Sequence, residues 1–198
     1  MEQLETYIAF DLEFIERKDG HYDLLQVSAV KFVDGQEQAH FDSYVHTDQP
    51  LKSFINGLTG ITSDKIQTAP PAEQVVADFA AFVSDTALIG YNAHKSDLPI
   101  LQTYGLDVTG QYVVDVYDEA FERRSTDLNG IARLSLQSVA DFLKIKGRGH
   151  NSLEDARMTA KIYEQFKEFD DNRLLLDKQE TISNNPFVGL GLAELFED

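Results

Sequence analysis

The chain has 198 residues, 42% of them hydrophobic, which suits one globular domain with room for a tail. It contains no cysteine, so disulfides, thiolate zinc sites and cysteine nucleophiles are excluded. The 17 basic and 34 acidic residues leave a net charge of −17, which argues against non-specific coating of nucleic acid but is compatible with an enzyme that meets phosphates through metal ions. The first residues are acidic and no apolar run approaches about 18 residues, so we expect a cytoplasmic protein with no signal peptide and no membrane partner.

The first predicted element is a strand over residues 7–14, which is rich in Tyr, Ile and Phe and free of Gly and Pro. Because successive side chains of a strand face opposite sides, Asp11 and Glu13 share one face, with Cα atoms about 7 Å apart. Two carboxylates so close repel each other unless a cation lies between them. The pair therefore indicates either a solvated strand end or half of a divalent-metal site.

The next elements complete an α/β pattern. Strands are predicted over residues 24–33 and 39–46, joined at the Asp34-Gly35 turn, so the first three strands run antiparallel. Helices and short strands follow in alternation: a helix at 72–83, a strand at 87–91, a helix at 97–104, a strand at 112–115, and helices at 116–124, 136–143 and 152–169. This order predicts a mixed central β-sheet, antiparallel at first and then parallel, flanked by helices.

Two later acids and a histidine supply what the first strand lacks. Asp97 begins a predicted helix, Asp155 lies in the first turn of the last helix, and His150 lies in the glycine-containing loop before it. Hard oxygen ligands on rigid elements are what a site for two divalent ions needs. Taken singly, each acid also fits complementation of a helix dipole, and Ser152 with Asp155 fits a capping box. Asn151 with Glu154 fits the same box equally well and would leave Asp155 free.

Together these segments resemble the three motifs of the DEDDh, DnaQ-like 3′–5′ exonucleases. The motifs are residues 10–13, residues 91–101 and residues 150–156, and residues 58–62 are also typical of bacterial proofreading exonucleases. The resemblance spans about residues 7–166, and all four acids and the histidine are present. It implies an RNase H-like fold and removal of nucleoside 5′-monophosphates from the 3′ ends of DNA in proofreading or repair.

The resemblance also implies roles for individual residues. Two Mg²⁺ or Mn²⁺ ions would be held by Asp11, Glu13, Asp97 and Asp155, with Asp11 bridging both ions. His150 would act as general base on the attacking water, a role suited to a pKa near neutrality.

Substrate contacts are the part of the resemblance in which this chain departs from the family. Phe14-Ile15-Glu16 stands where the family often has Thr-Thr-Gly, and the second motif has Tyr91-Asn92 and Ser96-Asp97 where the family usually has His-Asn and Phe-Asp. The substrate-binding candidates are Leu12 through its backbone at the terminal sugar, Phe14 and Ile61 against the terminal base, and Asn92 in the second motif.

Two alternatives to DNA hydrolysis stay open. The motifs do not read the sugar 2′-hydroxyl, so the same chemistry on RNA is the nearest rival. A non-catalytic scaffold module predicts loss of at least one metal acid or of the histidine, and none is lost.

The last predicted segment is a tail. We expect an exonuclease domain over residues 1–170 and a tail over 171–198 that packs on the domain or docks a partner. Leu195-Phe196 loosely resembles a sliding-clamp-binding peptide without its leading Gln, so a DNA polymerase or a sliding clamp is a candidate partner beside single-stranded or frayed 3′ ends.

Overall fold

The computed structural model describes residues 3–51, 53–147 and 149–184, the last five of these by their backbone alone. The elements, in chain order, are β1 (Thr6–Glu16), β2 (Tyr22–Val33), β3 (Gln36–Tyr44), α1 (Ser53–Thr59), α2 (Ser63–Gln67), α3 (Ala72–Val83), β4 (Leu88–Gly90), α4 (Asp97–Thr103), β5 (Val113–Asp115), α5 (Val116–Glu122), α6 (Leu136–Phe142) and α7 (Ser152–Asn184).

One five-stranded sheet in the order β3-β2-β1-β4-β5 organises the chain. The β1–β2 and β2–β3 pairs are antiparallel, and β4 and β5 continue parallel to β1. This confirms the predicted mixed sheet, with β1 at its centre.

Alternation along β1 divides its side chains between two cores, as the sequence predicts. Tyr7 and Ala9 pack with Tyr163, Phe166 and the other apolar residues of α5, α6 and α7. Ile8, Phe10 and Leu12 pack on the opposite face with α3 and α4. Asp11 and Glu13 therefore continue the face that α7 covers.

The β1–β2 hairpin is longer than predicted. The first predicted strand ends at residue 14 and the second begins at residue 24, but pairing continues to Glu16↔Tyr22 and leaves only a tight turn between the strands. The ring of Phe14 packs edge-on against Tyr22, with centroids 5.4 Å apart, and so adds a side-chain contact to the extended ladder.

The last helix corrects a second expectation. It was predicted to end near residue 169, but α7 continues to Asn184, and residues 152–184 contain no Gly or Pro to end it. Arg123 donates to both oxygens of Asp170, at 3.0 and 2.8 Å, and Arg173 donates to Asp127, so the helix is held past the predicted end. Beyond that, Leu174, Leu175 and Leu176 are more than half exposed. The domain boundary at residue 170 stays a prediction, and the tail's clamp-like peptide lies outside the described residues.

Across the part of the chain that the structure describes, no helix combines the length and apolar character needed to cross a bilayer.

Candidate active site

The opening acid pair lies in the carboxyl-terminal half of β1, just beyond the point where the neighbouring parallel strand β4 ends at Gly90. Chains that leave the same edge of a sheet bring their next residues together, so this edge is where a site is expected. Carboxylate oxygens of Asp11, Glu13 and Asp155 all lie within 4.8 Å of one another. The structure thus joins the first and last predicted motifs.

Asp97 reaches the same edge from β4. It is the first residue of α4, whose Leu98 and Leu101 are buried in the core beneath the sheet, and its own side chain is buried. Its Oδ1 accepts a hydrogen bond from the backbone N–H of Leu12 at 3.1 Å. That bond places the fourth acid against the residue between Asp11 and Glu13.

Asp155 is free of helix capping, because Asn151 caps α7. The Asn151 Oδ1 accepts from the Glu154 N–H at 3.1 Å, which is the alternative that would release Asp155. Ser152 is buried and its hydroxyl instead meets the Ser28 hydroxyl of β2 at 2.6 Å, so the start of α7 is fixed to the sheet. Asp155 is then turned toward the acid pair.

His150 lies beside the acids, in the loop before α7. Its backbone N–H donates to Asp155 Oδ2 at 2.9 Å, and its side chain is exposed. Its φ of +71° is in the left-handed region, which few residues other than glycine adopt. The imidazole is therefore accessible from solvent next to the acid cluster.

The four acids disfavour each other's charge. Burial, followed by the charges of Asp97, Asp155 and Glu13, raises the pKa of Asp11 well above its usual value. Burial and the neighbouring Asp155 and Asp97 raise the pKa of Glu13 to about 7.

The pKa values of the two acids at helix starts are raised as well, although hydrogen bonds oppose the shift. Burial raises the pKa of Asp97 to about 7, although the Ser96 hydroxyl and the Leu12 N–H oppose the shift. Burial also raises the pKa of Asp155, which the His150 N–H opposes. Buried carboxylates in such a cluster need either protons or cations.

The donor set fits divalent cations. Asp155 Oδ1 is buried and has no hydrogen-bond partner among the described residues, although its other oxygen is satisfied. A buried oxygen left unpaired costs about 1–3 kcal/mol, and a metal ion would supply the missing partner. An all-oxygen ligand set is the kind that Mg²⁺ and Mn²⁺ prefer.

The substrate contacts expected of Leu12 and Phe14 stay predictions, and the structure shows the surroundings of both residues. The Leu12 N–H is occupied by Asp97, so a sugar hydroxyl would have to compete for it. Phe14 is partly buried and lines two grooves, one on each side of the β1–β2 hairpin. The groove toward α4 has a volume of about 560 Å³, and the groove toward α1 about 790 Å³.

The structure contradicts the role that the sequence suggested for Ile61. It was expected to meet the terminal base, but it is 0% exposed and packs with Leu25, Ile55 and Ile66. The pairing of β1 and β2 shifts register between Glu13 and Phe14, which leaves Leu25 as an extra residue that points into this small core. Leu58, which is 46% exposed, lines the α1 groove together with Phe14. Within residues 58–62, the segment typical of proofreading exonucleases, the structure buries Ile61 and exposes Leu58.

Asn92 forms the turn that carries the chain from β4 to α4. It has φ +57°, and its carbonyl accepts from the N–H groups of Lys95 and Ser96. Its side chain lines a shallow groove, with Tyr91 and Tyr117 among its neighbours, so its proposed substrate contact stays a prediction.

Asp115 is a positioning residue that the sequence reasoning missed. It ends β5 beside β4, is buried, and accepts from the N–H groups of Asn92, His94 and Tyr117 at 2.7–3.1 Å. It thereby holds the turn before Asp97. His94, Asp115 and Asp118 also offer possible ligand atoms within 4.8 Å, but the Asp115 oxygens are already taken by the backbone. An acid at the end of a strand next to a motif strand was the available signal.

A mixed sheet with four clustered acids and an adjacent histidine defines a hydrolase site of the metal-dependent nuclease kind. The sequence profile of the RNase_T family, described as exonuclease, matches residues 8–163. The chain belongs to this exonuclease family, and the resemblance to DnaQ-like 3′–5′ exonucleases is confirmed.

Among curated proteins, the chain is similar to part of the PolC-type DNA polymerases III. It is 41% identical over 125 residues to the PolC-type DNA polymerase III of Streptococcus pneumoniae serotype 2, a match that covers 58% of this chain. The chain spans about 8% of that polymerase's length.

Solved structures agree on the fold. Cell-death related nuclease 4 superposes with a TM-score of 0.69 at 16% identity, over 83% of this chain and 64% of that one. The nuclease domain of 3′hExo, described as a DEDDh family member bound to rAMP, gives a TM-score of 0.65 at 19% identity, over 84% and 92%. At these identities the likeness shows the fold alone.

Proposed function

We propose that this exonuclease shortens single-stranded or frayed DNA from the 3′ end, using two divalent cations. Asp11, Glu13 and Asp155 would hold one cation, and Asp97 with Asp11 the other. The observation that carries the proposal is the buried acid cluster, which contains an unpaired Asp155 oxygen and carboxyl groups whose pKa values are raised. When bound, the cations would polarise the terminal phosphodiester and lower the pKa of the attacking water.

The residues around the cluster divide the remaining work. His150 is exposed beside Asp155 and would take the proton from the attacking water. Phe14 and Leu58, which line one groove, would pack against the terminal base. Glu13 would face the terminal sugar. The negative charge of the chain makes cations the natural bridge to a polyanion.

Polymerase association is a further part of this proposal. The similarity to PolC-type polymerases supports a role beside DNA synthesis, and the exposed leucines of α7 are available to a partner. The sliding-clamp peptide lies outside the described residues and stays a prediction, as does the cytoplasmic location.

A single digestion assay tests the chemistry. DNA and RNA oligonucleotides of the same sequence, labelled at the 5′ end, are incubated with Mg²⁺ or Mn²⁺, and the products are resolved by length. We expect a ladder of labelled DNA fragments that shorten stepwise, with none produced by Asp11→Asn. A ladder from RNA and not DNA would transfer the proposal to RNA, and no shortening of either polymer in either metal would refute it.

A further inference from the structure

The loop that carries His150 is held by two side chains that accept from its backbone. The His150 N–H donates to Asp155 Oδ2 at 2.9 Å, and the Gly149 N–H donates to Gln137 Oε1 at 3.0 Å. Asp155 belongs to the acid cluster, whereas Gln137 lies on α6, outside it. The second of these bonds has no part in the roles described so far.

Such support matters at Gly149 and His150, because the loop backbone is rich in glycine and takes a left-handed conformation there. Gly147 and Gly149 have no side chains to pack, and His150 occupies the left-handed region at φ +71°. A non-glycine residue there costs on the order of 1–3 kcal/mol and persists only where surrounding contacts enforce it. Two hydrogen bonds to consecutive N–H groups are contacts of that kind.

Gln137 is itself fixed in orientation. Its Nε2 donates to Asp141 Oδ1 at 2.8 Å, one turn later on α6, which directs Oε1 toward Gly149. The fit is close, since a Cβ on Gly149 would lie 3.2 Å from Gln137 Oε1 and 3.7 Å from Asp155 Oδ1. The loop therefore runs in the narrow space between the glutamine and the acid cluster.

We propose that Gln137 is a positioning residue for His150: it fixes the Gly149 N–H and so sets the place of the imidazole relative to Asp155. Gln137 acts through the loop and touches no reacting group. The inference rests on the proposed function, in which His150 takes a proton from water. Small misplacement of a catalytic group is costly, since about 1 Å can reduce a rate by about 10²-fold.

The test compares variants that keep or remove the acceptor at position 137. Gln137→Met has nearly the same shape but cannot accept from Gly149, and we expect kcat on an oligothymidylate to fall about tenfold while KM stays within about twofold. In the double variant Gln137→Glu with Asp141→Asn, the new carboxylate at position 137 can accept from Gly149, and the new amide at position 141 can donate to it. We expect this pair to recover most of the lost kcat. Gln74→Met is the matched control, because Gln74 donates to Asp78 in the same way on α3, away from the loop.

A double-mutant cycle distinguishes positioning from general damage. In a His150→Ala background, Gln137→Met should cause no further loss of kcat, because the group it positions is absent. Should Gln137→Met unfold the protein, Gly149→Ala probes the same contact by displacing the loop, and it should lower kcat in the same selective way.

Two outcomes overturn the inference alone: an active wild type in which Gln137→Met keeps its kcat, or equal losses from Gln137→Met with and without His150. An inactive wild type would instead overturn the proposed function, and this inference with it.

Discussion

The acid cluster and the two grooves beside the β1–β2 hairpin all lie near Phe14, but they are formed by different kinds of structural element. The cluster is set by the central strand, a helix start on each face and backbone hydrogen bonds to Leu12 and His150. The grooves are lined by the hairpin tip together with α4 on one side and the short helix α1 on the other, where Phe54 and Leu58 are exposed. The acid cluster thus lies on rigid elements and the grooves lie at the periphery, beside Phe14, where this chain departs from its family.

The first variant changes the acid cluster, which is the rigid part of this comparison. Asp11→Asn keeps the shape of the side chain but removes a ligand charge shared across the cluster, and we expect activity to fall at least about 10³-fold, which corresponds to about 4 kcal/mol. The digestion assay measures it, with Asp64→Asn on exposed α2 as control. Residual activity within about tenfold of wild type would contradict the site.

Replacing His150 should lower the activity less than replacing Asp11 does, because the acids and their cations remain. His150→Ala is expected to lower kcat about 10²-fold, the lower end of what general acid–base catalysis contributes. His40→Ala, an exposed histidine on β3, is the control and should leave kcat unchanged. An unaffected kcat in His150→Ala would remove His150 from the mechanism.

The groove residues should act on binding. Phe14→Ala and Leu58→Ala are each expected to raise KM for an oligonucleotide about tenfold with little change in kcat. Stacking of a base on the Phe14 ring is worth about 1–3 kcal/mol, and the apolar Leu58 side chain would lose its contact with water beside that base. Phe121→Ala and Leu174→Ala alter similarly exposed side chains outside the grooves and serve as controls. If the variants and their controls behave alike, the base does not bind in the α1 groove.

The smallest effect concerns stability and pH. Glu13 and Asp97 have pKa values of about 7 in the folded protein but about 4 when unfolded, so the folded state binds more protons in this interval. The stabilisation that these two groups give to the metal-free protein is then fully present below pH 4 and is lost as the pH rises through 7. We expect its melting temperature to fall by at least about 5 °C between pH 5 and pH 8, at about 2–4 °C per kcal/mol.

Cations should reverse this dependence. Adding Mg²⁺ or Mn²⁺ at pH 8 is expected to raise the melting temperature, and at pH 5 to change it much less, because the ligands must lose their protons to bind metal. Asp11→Asn should flatten the pH dependence of the metal-free protein. A melting temperature that rises steadily from pH 5 to pH 8 without metal would show that the acids are not destabilised in the fold.

Local pattern was enough to determine the architecture and the chemical residues. Alternation along β1 places Asp11 and Glu13 on one face whatever surrounds them, and a strand-helix alternation admits few topologies. Asp97 and Asp155 could be named because motif spacing places them at helix starts. Asn151 could be named as one of two caps, and the side chain of Ser28 decided between them.

Only the tertiary structure decided which neighbouring apolar residues are buried or exposed and how the acid cluster is held. One extra residue in β2 lets Leu25 point into a small core. Ile61 is buried in the same core, whereas Leu58 stays exposed, and no local sequence pattern encodes the register shift. Asp115 and Gln137 act through backbone groups distant in sequence, since they accept from Asn92 and Gly149 across gaps of 23 and 12 residues. Such contacts depend on where separate elements meet in three dimensions, whereas the acids can be recognised from the amino-acid sequence alone.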